Sequence, residues 1–79
     1  MSTLLPEHLK SARALLGYNR DEFSKIADVS RNTIARIENN ENVTINNKKH
    51  VLSTLEKLGI TLIQPSITGF VGVKKKYNN

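Results

Sequence analysis

The sequence of 79 residues contains no cysteine. Neither disulfides nor thiolate zinc sites can therefore supplement the apolar core, and helix packing has to hold the fold together. A chain of this length forms one domain, near the size at which a single core is only marginally sufficient. We therefore expect one domain whose stability benefits from partner contacts, and a dimer.

Long apolar runs are missing as well. No stretch approaches the roughly 20 residues of a membrane span, and the N-terminus lacks the basic start and the apolar segment of a signal peptide. We therefore expect a cytoplasmic protein with no membrane partner. Phosphate loops, nucleophile elbows and HExxH sequences are also absent, which argues against an enzyme.

The two histidines, His8 and His50, lie far apart in the sequence. Neither has a cysteine or a carboxylate at a recognised ligand spacing, so we predict no metal site and no cofactor. Surface positions are sufficient to explain both residues.

Positive charge is what the sequence has in excess. Twelve Lys and Arg residues stand against seven Asp and Glu residues, which gives a net charge of +5. This balance favours an anionic partner, with nucleic acid ahead of a membrane surface. The lysine run over 74–76 is expected to stay solvated, in a mobile basic tail over 74–79.

Apolar residues at helical spacing, bounded by capping and stop residues, predict four helices. They run from Pro6 to Leu16, from Arg20 to Ala27, from an N-cap at Ser30 to about Asn39, and from about Ile45 to Leu58. The predicted buried faces consist of Leu9, Ala12, Leu15 and Leu16; Phe23, Ile26 and Ala27; Ile34 and Ile37; and Val51, Leu52, Leu55 and Leu58.

After Gly59 the pattern changes to short, β-branched apolar runs over 60–63 and 70–73, which predict a hairpin with a loose loop. A lone hairpin is marginal in water, so it should pack on the helices or pair with the same element of a second subunit. The predicted fold is mainly α, a compact bundle of four to five short helices plus a short C-terminal β-hairpin or strand. Its parts are a helical domain over 1–59, a β segment over 60–73 that packs on it or dimerises, and the tail.

The third helix exposes side chains that suit the edges of DNA bases. Arg31 and Arg36 each offer a bidentate fork to guanine, and Asn32 offers a donor and an acceptor to adenine. Thr33 and Ala35 can contact a thymine methyl group. Because only a tight connection separates the second helix from the third, the pair predicts a helix-turn-helix that binds DNA, against the plainer reading of a solvated helix face.

The same stretch resembles the helix-turn-helix family of phage repressors and Cro proteins, also called the xenobiotic-response-element type of bacterial regulators. The resemblance covers about residues 9 to 63 and implies a lambda-repressor-like fold. It rests on the combination of Arg13, Gly17, Ile26-Ala27, Val29-Ser30, Thr33-Ile34, Ile37-Glu38 and Asn39. It implies base contacts by Arg31, Asn32 and Arg36, with Thr33 at bases or phosphates.

The resemblance further implies that Arg13 and Glu38 form an interior ion pair between the first and third helices, a structural role. Two positions depart from the family. Arg20 replaces the usual Gln, although a charged side chain can still reach a phosphate there, and Asn40 replaces the usual Gly, although Asn can adopt the required backbone. The residues that we predict at DNA phosphates are Arg20, Ser30, Asn39, Asn47, Lys48 and Lys49.

These features together predict a homodimeric, sequence-specific repressor of transcription. Its two recognition helices would enter successive major grooves about 34 Å apart on an inverted repeat of double-stranded DNA. One alternative is an antitoxin that inhibits a partner toxin and autoregulates its promoter. Another is an activator that recruits polymerase, although the sequence shows no clear acidic patch beside the DNA face.

Overall fold

A computed structural model describes residues 3–77, which form five helices and a two-stranded antiparallel sheet. The elements are α1 (Pro6–Leu16), α2 (Arg20–Ala27), α3 (Arg31–Glu38), α4 (Ile45–Lys57), β1 (Ile60–Ile63), α5 (Pro65–Thr68) and β2 (Gly72–Lys75). The mainly helical fold class with a short β element is confirmed. The four predicted helices are present, each within a residue of its predicted ends.

Three helices begin at a polar residue whose side chain closes the first turn. Asn19 accepts a hydrogen bond from the Glu22 amide at 2.8 Å, and the Glu22 carboxylate accepts one from the Asn19 amide at 3.0 Å. Ser30 caps α3 and Thr44 caps α4 in the same way through their hydroxyl oxygens. These bonds satisfy backbone amides that have no partner within the helix, so the start of each helix is determined locally.

The apolar core lies where α1 to α4 meet the sheet. Its members come from one face of each of the helices α1 to α4, from Leu4 just before α1, and from the first residue of β1. They are Leu4, Leu9, Ala12, Phe23, Ala27, Ile34, Ile37, Val51, Leu55 and Ile60. Leu16, Leu52 and Leu58 are partly buried against them.

Two predicted core residues are on the surface instead, Leu15 at 50% exposure and Ile26 at 45%. In α1 the neighbouring Leu16 takes the position that faces the core, and successive residues of a helix point about 100° apart. In α2 the buried face consists of Phe23, Ser24 and Ala27. Ile26 lies about 100° from the centre of that face, so the prediction for both residues was wrong.

The second strand of the sheet begins later in the sequence than predicted. Ile60 pairs with Lys75 and Ile63 with Gly72, so β2 starts two residues after the predicted start of the second apolar run. The turn of helix α5 occupies part of the connection and displaces the pairing. Lys74 and Lys75 therefore belong to β2, which corrects the predicted tail, and the Lys76 amide donates to the Gly59 carbonyl at 2.7 Å. Residues 78 and 79 lie outside the described part of the chain.

His8 is fully buried, so its predicted surface position was wrong. Its Nδ1 accepts a hydrogen bond from the Leu5 amide at 3.0 Å, and its Nε2 lies 2.9 Å from the Ile63 carbonyl oxygen. Because Nδ1 acts as an acceptor, Nε2 carries the proton and donates to Ile63. The imidazole thus caps α1 and ties the helix to the end of β1. His50 is exposed, as predicted.

None of the helices within residues 3–77 is long and apolar enough to cross a membrane.

Replacing His8 with alanine should destabilise the fold by about 2–4 kcal/mol, because the Leu5 amide and the Ile63 carbonyl lose their partner and a cavity opens in the core. Urea denaturation of His8→Ala and of the wild type measures this difference. The control is His50→Ala, which should stay within about 0.5 kcal/mol of the wild type since that side chain is exposed. Equal stabilities for the two variants would show that His8 does not join α1 to the sheet.

Candidate nucleic-acid interface

The connection between α2 and α3 is a tight turn over residues 28–30. Asp28 ends α2 in the left-handed conformation, at φ 57° and ψ 43°. Aspartate is one of the few residues besides glycine that adopt this conformation at low cost. The Val29 amide then donates to the Ser24 carbonyl at 3.1 Å, and Ser30 caps α3. The chain therefore changes direction within three residues, and α2 packs directly against α3.

The two faces of α3 carry different chemistry. Ile34 and Ile37 are buried in the core and fix the helix on its scaffold. Arg31, Asn32 and Arg36 are exposed, and the first turn carries no acidic residue. The exposed face therefore presents guanidinium and amide groups, which suit the major-groove edges of guanine and adenine.

Asn32 and Arg36 line a surface groove between α3 and the start of α4. The groove has a volume of about 500 Å³, and Thr33 and Asn47 also line it. Arg31 lies instead beside the turn between α2 and α3, where it lines a second depression with Ser30. The predicted base-contacting residues thus occupy two adjoining parts of one surface.

Thr33 differs from the other predicted base-contacting residues because it is buried. Its hydroxyl lies 2.9 Å from the hydroxyl of Ser30, which also accepts from the Thr33 amide at 3.0 Å. Both hydroxyl groups therefore have a partner within the protein before any DNA binds. Only the edge of Thr33 that lines the groove is available to a base.

Glu38, at the end of α3, holds the carboxylate to which two arginines donate. Its side chain is 0% exposed. Arg13 donates to it through Nε at 2.5 Å and through Nη2 at 2.8 Å, and Arg13 Nη1 also donates to the Tyr18 carbonyl at 3.2 Å. The structure therefore contains the interior ion pair that the resemblance implied.

Arg20 is the second donor to this carboxylate, a role that sequence reasoning missed. Its Nε lies 3.1 Å from Glu38 Oε1, and its side chain remains 35% exposed. The only signal in the sequence was that Arg20 stands where the resembled family has Gln. We call Arg13, Glu38 and Arg20 the arginine–glutamate cluster.

The cluster keeps Glu38 ionised. Burial alone would raise the pKa of this carboxyl group, but the hydrogen bonds and positive charges of Arg13 and Arg20 outweigh it and lower the pKa below its ordinary value. The hydrogen bond to Glu38 raises the pKa of Arg13 in turn. The Glu38 carboxylate and the Arg13 guanidinium group are therefore charged near neutral pH.

The loop after α3 contains the second departure from the family. Asn40 has a φ of 58°, so it adopts the left-handed backbone expected of it, and its amide donates to the Ile37 carbonyl at 3.1 Å. Asn39, the last residue before it, is exposed. The replacement of glycine therefore leaves the end of the recognition helix intact.

The predicted phosphate-contacting residues of α4 divide between two sides of the helix. Asn47 lines the groove beside Arg36. Lys49 lines a different depression, next to Ile26 of α2. Lys48 is exposed in the first turn between them. The start of α4 therefore places the amide of Asn47 beside α3. The cations of Lys48 and Lys49 lie at the margin of the groove between the two helices.

No group of three or more possible metal-ligating side chains occurs within the described residues.

A comparison with family models finds that residues 9–47 match a model described as helix-turn-helix. No curated protein matches the chain. The matched range runs from α1 to the first turn of α4 and contains α2, α3 and the arginine–glutamate cluster. This family consists of DNA-binding regulators and is not typically enzymatic, so the match supports a DNA-binding regulatory domain.

Replacing Glu38 with glutamine should destabilise the protein by about 3–5 kcal/mol at pH 7, because two partly buried arginines lose their counter-charge. Chemical denaturation measures the loss, with exposed Glu56→Gln as the control. If Glu38→Gln and Glu56→Gln unfold at the same denaturant concentration, the cluster does not support the fold.

The cluster also predicts a dependence of stability on pH. Because the pKa of Glu38 is lower in the folded chain than in the unfolded chain, its contribution is complete above the unfolded value, about 4.5. The contribution is lost as the pH falls through the lower, folded value. The wild type should therefore lose more stability on acidification than Glu38→Gln, measured by denaturation at a series of pH values. Parallel pH profiles would contradict the assignment.

Proposed function

Because residues 9–47 belong to the Cro/C1-type helix-turn-helix family, we propose that this protein is a homodimeric repressor of transcription that recognises an inverted repeat in double-stranded DNA. The observation that carries the proposal is the exposed face of α3. It presents Arg31, Asn32 and Arg36 to solvent while Ile34 and Ile37 anchor its other face in the core.

In this proposal the exposed face of α3 lies in the major groove. Arg31 and Arg36 each donate two hydrogen bonds to a guanine, to N7 and O6. Asn32 pairs with N6 and N7 of an adenine, and the accessible edge of Thr33 contacts a thymine methyl group or a phosphate. Direct contacts of this kind distinguish all four base pairs in the major groove, which accounts for sequence choice.

Phosphate contacts fix the position of α3 in the groove without selecting a sequence. Arg20 contributes one of them. Its Nε is bound to Glu38, and the rest of its partly exposed guanidinium remains to donate to a phosphate oxygen. The other residues in this role are Ser30, Asn39, Asn47, Lys48 and Lys49.

The size of the domain supports binding as a dimer. Its longest dimension is 31 Å, whereas successive major-groove half-sites on one face of DNA lie about 34 Å apart. One chain therefore covers one half-site, and two copies cover an inverted repeat. A dimer at such a site would block polymerase from an overlapping promoter. The expected cytoplasmic location remains a prediction.

An antitoxin is the second candidate function. The observation that favours it is the set of exposed apolar side chains after the helical domain, where Ile67 is 83%, Phe70 76% and Tyr77 85% exposed. A patch of this kind can bind a partner protein. Purification of the chain with its genomic neighbour co-expressed separates the two functions. A stable complex with the co-expressed neighbour that Phe70→Ser abolishes supports the antitoxin. If no such complex forms, the result supports the repressor.

Selection of bound sequences from random DNA at a fixed salt concentration tests the proposed function. The expected result is an inverted repeat whose half-site centres lie about 10 base pairs, or a multiple of one helical turn, apart. Enrichment of no motif would contradict sequence-specific binding. Enrichment of a single half-site, protected by one copy, would contradict the dimer.

Truncation of either exposed arginine of α3 should weaken binding to the selected site by about 1–3 kcal/mol and relax the choice of base. The measurement compares the dissociation constants of Arg31→Ala, Arg36→Ala and the wild type on the selected site and on scrambled DNA. Lys57→Ala, which removes an exposed cation at the opposite end of α4, is the matched control. Equal losses on both DNAs would exclude direct base contact.

Truncation of Lys48 should act differently, because a phosphate contact carries no sequence information. For Lys48→Ala the slope of the logarithm of affinity against the logarithm of salt concentration should become shallower by about 0.9. Lys74→Ala, on β2, should keep the wild-type slope. The same slope for both variants would remove Lys48 from the interface.

A further inference from the structure

The lysines at the end of β2 have a fixed place in the fold. Lys75 pairs with Ile60 in the sheet, and the Lys76 amide donates to the Gly59 carbonyl at 2.7 Å. Gly59 turns the chain after α4 with a φ of 81°, and a Cβ atom at this residue would lie 3.4 Å from Lys76 Cβ. Residues 74–76, part of the predicted mobile tail, are therefore held beside the end of α4.

A cavity of about 610 Å³ lies where the end of α4 meets these lysines. Lys57, Lys75, Lys76, Glu56 and Tyr77 line it, together with the turn over 58–59. Pockets that bind small molecules have volumes of about 300–1,000 Å³. The cavity is therefore large enough for a small-molecule ligand.

The lining of the cavity carries positive charge that the protein does not neutralise. Within residues 3–77 it holds three lysines and one acidic residue, Glu56, which leaves a net charge of +2. In the same range the cations that form ion pairs are Arg13, Arg20 and Lys25. None of the three lysines of the cavity therefore has a carboxylate partner there.

The end of α4 accounts for one of these three charges. The carbonyl end of a helix attracts a cation, and Lys57 lies in the last turn of α4. Lys75 and Lys76 come from a different part of the chain, so the helix end does not explain them. Their ammonium groups remain to bind an anionic ligand, and lysine binds phosphate groups as a point charge.

Tyr77 adds an aromatic ring beside these cations. It is 85% exposed, so most of its surface is free to contact a ligand. Nucleotide bases stack on exposed aromatic side chains irrespective of their sequence, because every base has a flat π-face. Cations suited to phosphates and a ring suited to a base therefore lie next to each other in one cavity.

We propose that the cavity at the end of α4 binds a free nucleoside diphosphate or triphosphate. The phosphates lie among Lys57, Lys75 and Lys76, and the base stacks on Tyr77. Lys57 follows Asn47 by ten residues, about 15 Å along the helix, so a nucleotide and DNA bind to opposite ends of α4. The proposal does not depend on the proposed DNA binding, and the failure of one leaves the other standing.

Isothermal titration calorimetry of the full chain with adenosine diphosphate, at constant ionic strength and without divalent cations, tests the lysines. Lys75→Gln should raise the dissociation constant at least about fivefold, because it removes a cation from the cavity. The matched control is Lys74→Gln, which should stay within about twofold of the wild type. Lys74 is the neighbouring exposed lysine, but it points to the opposite face of the sheet and does not line the cavity.

A second pair of ligands tests the stacking of the base. Tyr77→Ala should weaken the binding of adenosine diphosphate at least about fivefold and leave the binding of inorganic pyrophosphate unchanged, because pyrophosphate has no base. Tyr77→Phe, which keeps the ring, should bind both ligands like the wild type. If Tyr77→Ala binds adenosine diphosphate like the wild type, the ligand is a phosphate compound without a bound base, and the nucleotide assignment is overturned.

The remaining outcomes are equally decisive. A loss in Lys75→Gln without a loss in Lys74→Gln, together with the selective loss in Tyr77→Ala, supports the nucleotide site. Absence of binding at millimolar adenosine diphosphate overturns it, and so do equal losses in the two lysine variants, since the ligand then responds to net charge alone. Displacement of adenosine diphosphate by a single-stranded oligonucleotide that binds more tightly assigns the cavity to a nucleic-acid strand instead. Displacement by the selected DNA duplex places the nucleotide on the DNA-binding face and also overturns the proposal.

Discussion

The DNA-binding unit depends on the ion pairs that the buried carboxylate of Glu38 forms with Arg13 and Arg20. Glu38 is the last residue of α3, Arg13 lies on α1, and Arg20 is the first residue of α2. One side chain therefore joins three helices at a single point. A buried carboxylate without partners costs several kcal/mol, so alternative orientations of α3 that break these contacts are strongly disfavoured. The Ser30 side chain caps the other end of α3, so both ends of this helix are bound to the rest of the protein.

Arg20 connects that structural cluster to the proposed ligand. Its Nε is bound to Glu38, whereas the side chain is still about one third exposed at the N-terminal end of α2. A guanidinium has five donors in a fixed planar fork, so one group can bind a carboxylate and a phosphate oxygen at the same time. A glutamine at this position would leave Glu38 with the single positive partner Arg13. The replacement thus adds a charge to the interior cluster and leaves the rest of the Arg20 guanidinium for the proposed phosphate contact.

Local signals explain why the helices could be predicted and several side chains could not. Asn19, Ser30 and Thr44 cap within three residues of their own position, so the sequence alone indicates where these helices start. The role of His8 depends on Ile63, 55 residues away, and a lone histidine gives no sign of such a partner. The exposed position of Ile26 follows from the packing of α2. The pairing of Lys74 and Lys75 follows from the turn of α5 and from the sheet register, neither of which periodicity reveals.

In the proposed complex with DNA, α3 enters the major groove and contacts base edges there. Methylation interference with dimethyl sulfate, on the DNA site recovered by selection, tests it most directly, because the reagent modifies guanine N7 in the major groove and adenine N3 in the minor groove. Direct contact between α3 and the base edges predicts that methylation of guanine N7 blocks binding in both half-sites and that methylation of adenine N3 does not. Interference at adenine N3 alone, or at neither atom, would contradict it.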